Sequence, residues 1–459
     1  MDFLDTPLCG KVDRKLFYML TFVIGASMLF PEYIAPLFVF ALYIYFIIHF
    51  KKTGRNAKLG DIGKAVFAYL IYQLVSCLWS KSRNASFWIA MLALGCFLTY
   101  ILVANVVNTK DKLKYAIGAV SVSAGIIGLI ATLEIITFNI AHHTGTHLVI
   151  PNPLFFDIND WVFKEFMPLE IINKPYRSRA SATFDNPLIL ATYLVIATPF
   201  CAFASVYFKK SKSRKICRAC LVFAIAGIFC TFSRGAYIAV GMSIIIMLIS
   251  NKRIFRKLFP FVLILAIAIP IGLTLRHHSS TEDFLASNSH RIEIWRYSFD
   301  MFIHHPLFGL GSGTDNIHTL LRDTYGIDRS HTHNLFLQIL VEGGIAGAII
   351  AGYIIYVISK RIYGLYAHKE NRYRPFAVMY TASMIGFIVI SMFEYTLQSA
   401  KEMMMFMILL GMIEATGRME TDSLQLASDE VFTYTEITEQ DLEEDEEEKK
   451  VKHDKKVIK

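Results

Sequence analysis

Charged side chains are scarce in this sequence. Asp, Glu, Lys and Arg supply 18% of its 459 residues, against 54% hydrophobic. That shortage excludes an ordinary soluble multi-domain chain and points to an all-α polytopic membrane protein. Cysteine is thin as well, with seven residues. Cys77, Cys96, Cys201 and Cys230 sit inside apolar runs, so they read as membrane core and not as a disulfide framework. A cleavable signal peptide is not evident. The run from Leu16 lacks a small-residue cleavage site and leads straight into a second apolar run. No H-E-x-x-H, no Walker lysine and no Asp-x-Asp beside a span is found, which removes the usual signatures of zinc hydrolases, nucleotide sites and metal–diphosphate sites.

What is present is a succession of apolar runs. They lie near 16–30, 33–50, 63–79, 86–107, 115–138, 188–208, 216–232, 236–250, 258–275, 335–358, 376–396 and 400–417, which makes about twelve transmembrane helices. Every second connection is rich in Lys and Arg: 51–61, 108–114, 209–215, 251–257 and 359–375. Cations in short loops mark the cytoplasmic side. Both termini are therefore expected in the cytoplasm. The long polar segments 139–187 and 276–334, together with Arg234, are expected on the opposite face. The same loop placement explains the basic net charge of +8 without nucleic acid as a partner. Residues 418–459 carry 7 Lys/Arg against 14 Asp/Glu, leaving 39 against 24 in the rest. This acidic block lacks apolar periodicity and reads as a solvated, disordered cytoplasmic tail after a membrane domain of residues 1–417.

The stretch Ser330 to Gly347 reads S-H-T-H-N-L-F-L-Q-I-L-V-E-G-G-I-A-G. His331 and His333 stand just before an apolar run, and imidazole is the side chain best suited to move a proton near neutral pH. Asn334 can cap the following helix. Glu342 falls about two turns inside it, where an ionisable group is costly and becomes a functional candidate. Gly343, Gly344 and Gly347 would admit a close neighbour. The alternative for the whole stretch is a polar helix start with a glycine packing face. H-x-H also admits a zinc reading, although no matching Cys/Asp set stands near it in the sequence at ligand spacing.

Arginines supply the second kind of candidate. Arg179, in R-A-S-A-T-F-D-N-P before the sixth run, can grip phosphate oxygens with its planar fork or touch ordinary head groups. Arg177 is a weaker candidate of the same kind. Arg291 opens a stretch in which Ile292, Trp295, Phe299 and Phe302 recur at helical spacing, so an amphipathic helix is expected to pack on the membrane domain or lie in the interface. His305-Pro306 ends it. Gly309, Gly311 and Gly313 form a turn that either lines a sugar site or is only a turn. Arg234, in S-R-G, is a third cation for a phosphate or an interfacial anchor.

Three stretches in order, R-A-S-A-T-F-D-N-P, R-I-E-I-W through H-P-L-F-G-L-G, and H-T-H-N through E-G-G-I-A-G, resemble the O-antigen ligase and polymerase superfamily of bacterial membrane glycosyltransferases. The resemblance covers roughly residues 60–415 and leaves 139–176 and the acidic tail outside it. It implies a glycosyltransferase C type fold with a large extracytoplasmic loop, in the bacterial cytoplasmic (inner) membrane. It implies inverting, metal-independent transfer of a glycan from an undecaprenyl-diphosphate-linked donor, with no cofactor, at the outer membrane face. The acceptor would be lipid A core in a ligase, or a second lipid-linked glycan in a surface-polysaccharide polymerase. A protein-glycosylating relative is a further variant. Carried over by position, Arg179 and Arg291 would bind the diphosphate, and His333, with His331 beside it, would activate the acceptor hydroxyl. The reading from another class is a transporter or flippase of lipid-linked sugars, which would place charges along a path through the bilayer midplane.

Overall fold

The computed structural model describes residues 11–30, 34–144, 179–208, 210–250, 281–367 and 373–435. The expected span near 258–275, the greater part of the 139–187 segment with Arg177, His147 and Trp161, and residues 436–459 lie outside the described residues.

Thirteen α-helices are found among the described residues and no strand. They are α1 Lys11–Ala26, α2 Ile34–Lys52, α3 Gly60–Ser76, α4 Arg83–Val106, α5 Lys110–Thr144, α6 Pro187–Tyr207, α7 Ser211–Cys230, α8 Arg234–Ser250, α9 Thr281–His304, α10 Thr314–Tyr325, α11 Leu335–Ala367, α12 Arg374–Ser391 and α13 Ala400–Thr435. Six of them, α2, α4, α5, α6, α11 and α12, contain stretches long and apolar enough to cross a membrane. The fold is thus that of an all-helical polytopic membrane protein. α13 runs on through Arg418 to Thr435, past the boundary at 417 where apolar residues thin out.

α6 is the axis of the bundle. Asn186 caps it by accepting the Leu188 N–H at 2.9 Å, and Pro187 opens its first turn. Nearly every residue from Ile189 to Ser205 is buried, because α5, α7, α8, α12 and α13 surround it. α5 and α7 cross tightly: a Cβ on Gly227 would lie 2.7 Å from Gly128 Cα, so only glycine allows the approach.

Hydrogen bonds sort the helix ends into two groups. At one end Arg418 reaches Ala104 O and Lys58 O, Arg361 pairs with Glu414 at 3.1 Å, and Lys110 sits over the Tyr373 ring. This end carries the described parts of the basic loops 51–61, 108–114 and 359–375. At the other end Thr183 bonds Met28 O, Asn316 bonds Ser80 and Ser82, and Asn334 bonds Met392 O. The described parts of both polar segments, 179–186 and 281–334, meet here with Arg234.

Two local expectations change. α9 turns Ile294, Ser298 and Met301 inward and leaves Ile292 (65%) and Phe299 (52%) exposed. The helix has apolar residues on two sides, and the tether of Arg291 decides which side faces the protein. Gly344 does more than admit a neighbour, the backbone of Leu307 and Gly309; it also breaks α11, with φ 58° and ψ −160°. Only glycine holds that conformation comfortably. The freed backbone groups pair with the 306–311 loop: Leu310 N–H donates to Val341 O (2.9 Å), Gly311 to Glu342 O (3.0 Å), Ile345 to Pro306 O (2.8 Å) and Ala346 to Leu307 O (3.1 Å). Such repair is what lets a helix break persist at membrane depth. Gly343 and Gly347 do admit a neighbour, the Tyr72 ring of α3.

Candidate functional site

The first turn of α11 is built as its sequence suggests. Asn334 Oδ1 accepts from Phe336 N–H at 2.9 Å and Leu337 N–H at 3.1 Å. Immediately before it, His333 is held at φ 53°. Among the described residues the other non-glycine positions with positive φ are Ala182 and Phe232, one in the Arg179 motif and one beside Arg234. Backbone strain of this kind clusters where function needs it, and here all three instances fall in the loops at one end.

Glu394 lies at the centre. It sits in the connection between α12 and α13, its side chain 3% exposed. Oε1 accepts from Arg291 Nη2 at 2.6 Å and Oε2 faces His333 Nδ1 at 3.0 Å. Arg291 Nη1 also donates to Phe393 O at 2.7 Å. A carboxylate only accepts, so the bond calls for a proton on His333 Nδ1, and the neutral tautomer compatible with it has its lone pair on Nε2. The His331 ring lies 4.3 Å from that of His333, centre to centre. Burial and the neighbouring His333 hold the His331 imidazole down at about 4, against a lesser opposing pull from Glu394. His331 is therefore neutral at physiological pH.

The structure thus brings Arg291, His333 and His331 together. Arg234 is close enough to Arg291 for their like charges to interact. Arg179 donates from Nε to Thr231 O at 2.9 Å, three residues before Arg234, and its loop is pinned by Glu134, which accepts from the Ser181 and Ala182 N–H groups at 3.1 and 2.8 Å. A cavity of about 290 Å³ opens over the histidines, lined by Asn186, His318, Asp328, Arg329, His331, His333 and Gln398 among others. Neither Glu342 nor any of Arg179, Arg234 and Arg291 is in that lining. Glu342 is buried and accepts from Gln338 Nε2 at 2.7 Å.

Sequence reasoning overlooked Glu394 as a partner and Gln338 altogether. A glutamate in F-E-Y-T at the end of an apolar run was a visible signal, since such a charge must be paired. His331, His333 and Glu394 also offer ligand atoms within 4.8 Å of one another. They form a possible divalent set that the linear spacing did not disclose. Against a metal stand the direct His333–Glu394 bond and the Arg291 charge on the same carboxylate.

Fold and site together define a multi-helical membrane protein with a buried histidine–carboxylate pair and several guanidinium groups at one end of its bundle. Residues 219–352 match the family described as O-antigen ligase. That range carries Arg234, Arg291, His331, His333, Gln338 and Glu342, but neither Arg179 nor Glu394. The chain is 26% identical over 243 residues to a ComP-specific O-oligosaccharyltransferase of Acinetobacter baylyi, a match covering 49% of this chain and 42% of that protein. It is 28% identical over 181 residues to a Rickettsia conorii protein named as a polysaccharide ligase, covering 36% of this chain and 42% of that one. Each match therefore spans less than half of the relative's length. The matches support the O-antigen ligase superfamily for this chain.

Proposed function

We propose that the protein transfers a glycan from a lipid-diphosphate-linked donor, of the undecaprenyl class, to an acceptor hydroxyl. The observation that carries this is the shared carboxylate: Glu394 holds Arg291 by one oxygen and His333 by the other. One group thereby sets a base and a phosphate-binding cation side by side. The two relatives named for oligosaccharide transfer and polysaccharide ligation support the same reaction class.

In this reading His333 Nε2 takes the acceptor proton while the acceptor oxygen attacks the anomeric carbon. The bond from that carbon to the diphosphate breaks, and the electron pair leaves with the lipid diphosphate. Attack from the face opposite the leaving group inverts the anomeric centre. Arg291 keeps three of its five N–H donors beyond the two placed on Phe393 and Glu394. Those donors, with Arg234 and Arg179, would stabilise the charge that develops on the diphosphate. Glu394 orients the imidazole and stabilises it once protonated. No step needs a metal. The site faces away from the cytoplasm, both termini lie in the cytoplasm, and the membrane is the bacterial inner membrane. The support for this topology is the gathering of the described basic loops, 51–61, 108–114 and 359–375, at the opposite end of the bundle.

The test is transfer by purified protein in nanodiscs. The donor is an undecaprenyl-diphosphate-linked oligosaccharide, offered lipid A core, a second lipid-linked glycan and a serine-containing peptide. Formation of a glycosidic bond, with at least hundredfold loss in Arg291→Ala and His333→Ala, is expected. Intact transfer in both variants would overturn the assignment. The break in α11 beside buried Glu342 is a feature that favours a transporter. Movement of labelled lipid across the bilayer without a new bond would establish that instead.

A further inference from the structure

His333 adopts a left-handed backbone that a non-glycine residue takes up only when its surroundings impose it. The residue before it supplies the imposition. Thr332 is fully buried and held at every polar group. Its N–H donates to Gln338 Oε1 at 3.0 Å, its carbonyl accepts from Trp295 Nε1 at 3.0 Å, and its hydroxyl donates to Asn334 O at 2.7 Å. Gln338 stands one turn into α11. An amide can present either end, and it must offer oxygen to Thr332. What fixes that orientation is Glu342, one turn deeper, whose Oε1 accepts the Gln338 NH2 at 2.7 Å. The Glu342 carbonyl accepts from Gly311 N–H at 3.0 Å, which ties the backbone at Glu342 to the glycine-rich loop that repairs the break in α11.

We propose that Gln338 and Glu342 are positioning residues for the transfer reaction: Glu342 sets the orientation of the Gln338 amide, Gln338 clamps Thr332, and the clamp holds His333 in the left-handed conformation that lays its ring against Glu394. The inference rests on the base assignment of the preceding section. It moves Glu342 from substrate contact to a place three links behind the imidazole. It also gives the E-G-G and G-L-G-S-G stretches one task, to anchor the backbone that carries Glu342, from which the relay starts.

The test measures release of undecaprenyl diphosphate from the lipid-linked oligosaccharide by the full-length protein, with melting temperatures recorded for each variant. Gln338→Leu should lower kcat roughly 10- to 100-fold, as loss of an orienting partner does, with donor KM changed by less than about threefold. Glu342→Leu should match it. Glu342→Gln can present either end to the Gln338 amide and no longer fixes its orientation, so its kcat should fall between those of the parent and Glu342→Leu. In a His333→Ala background, Gln338→Leu should change the residual rate by less than about twofold, because groups acting through one another are non-additive. A full additional loss in that background, or an unaffected Gln338→Leu single variant, overturns the relay while leaving His333 as the base. Full activity of His333→Ala overturns the base assignment itself.

Discussion

Glu394→Gln is the sharpest perturbation of this site, because it keeps the shape and removes the charge. The carboxylate now accepts from Arg291 at 2.6 Å and from His333 Nδ1 at 3.0 Å. A glutamine has a single carbonyl oxygen, and the short bond to a guanidinium claims it. The amide NH2 then faces His333 Nδ1, which can accept only if the imidazole proton moves to Nε2. The lone pair needed to take the acceptor proton is lost, and so is the negative charge that stabilises the protonated ring. In a hydrolase triad the same carboxylate-to-amide change lowers kcat by about 10⁴. The side chain here is as deeply buried, so a loss of about 10² to 10⁴ is expected, which corresponds to roughly 3 to 5 kcal/mol. Folding should suffer less, about 1 to 3 kcal/mol, since Arg291 retains Phe393 O. The assay is single-turnover transfer in nanodiscs across pH 5.5 to 9, with Glu394→Asp as a second variant that keeps the charge at a shorter reach. A Glu394→Gln protein that folds and transfers within about threefold of the parent refutes the reasoning.

Three further outcomes follow from the same geometry. The His331 imidazole is held at about 4, below its ordinary 6.5, so between those values the unfolded chain binds the proton and the folded chain does not. Stability should therefore rise with pH across that window by up to about 3 kcal/mol and be complete above it; melting temperatures at pH 4.5 and 7.5 should differ clearly less in His331→Phe than in the parent. Gly344→Ala puts a Cβ 2.5 Å from Leu307 backbone atoms in a conformation reserved for glycine, and should cost about 3 kcal/mol or more, read as loss of folded yield or a lower melting temperature. Zn²⁺ should inhibit transfer by drawing His331, His333 and Glu394 onto one ion; His331→Ala should raise the inhibiting concentration at least tenfold, and equal inhibition of both proteins would exclude this cluster as the zinc site.

Much of the site could be read in the linear chain because its signals are local. A cap needs only Asn334 and the next three residues. The S-R-A-S-A-T loop announces itself by lying between apolar runs, and the glycine-rich turn by its composition. Arg291 and His333 stood out as charge and imidazole at run boundaries. The face that α9 turns inward did not, because two apolar stripes compete on that helix and only the Arg291 tether chooses. Nor did the break at Gly344, since E-G-G is compatible with a continuous helix until the 306–311 loop arrives to take up the freed carbonyls.

The amino-acid order alone therefore determined that the chain is a helical membrane protein, where its apolar runs begin and end, and which residues could carry a proton or bind a phosphate. Those properties depend on side-chain transfer energies and on contacts within a few residues. The tertiary structure decided the pairings: Glu394 with Arg291 and His333, Arg179 with Thr231, the Gln338 amide between Thr332 and Glu342. Several of these join residues 52 to 103 positions apart. A hydrogen bond acts over about 3 Å, so its partner becomes known only when packing has brought distant helix ends together.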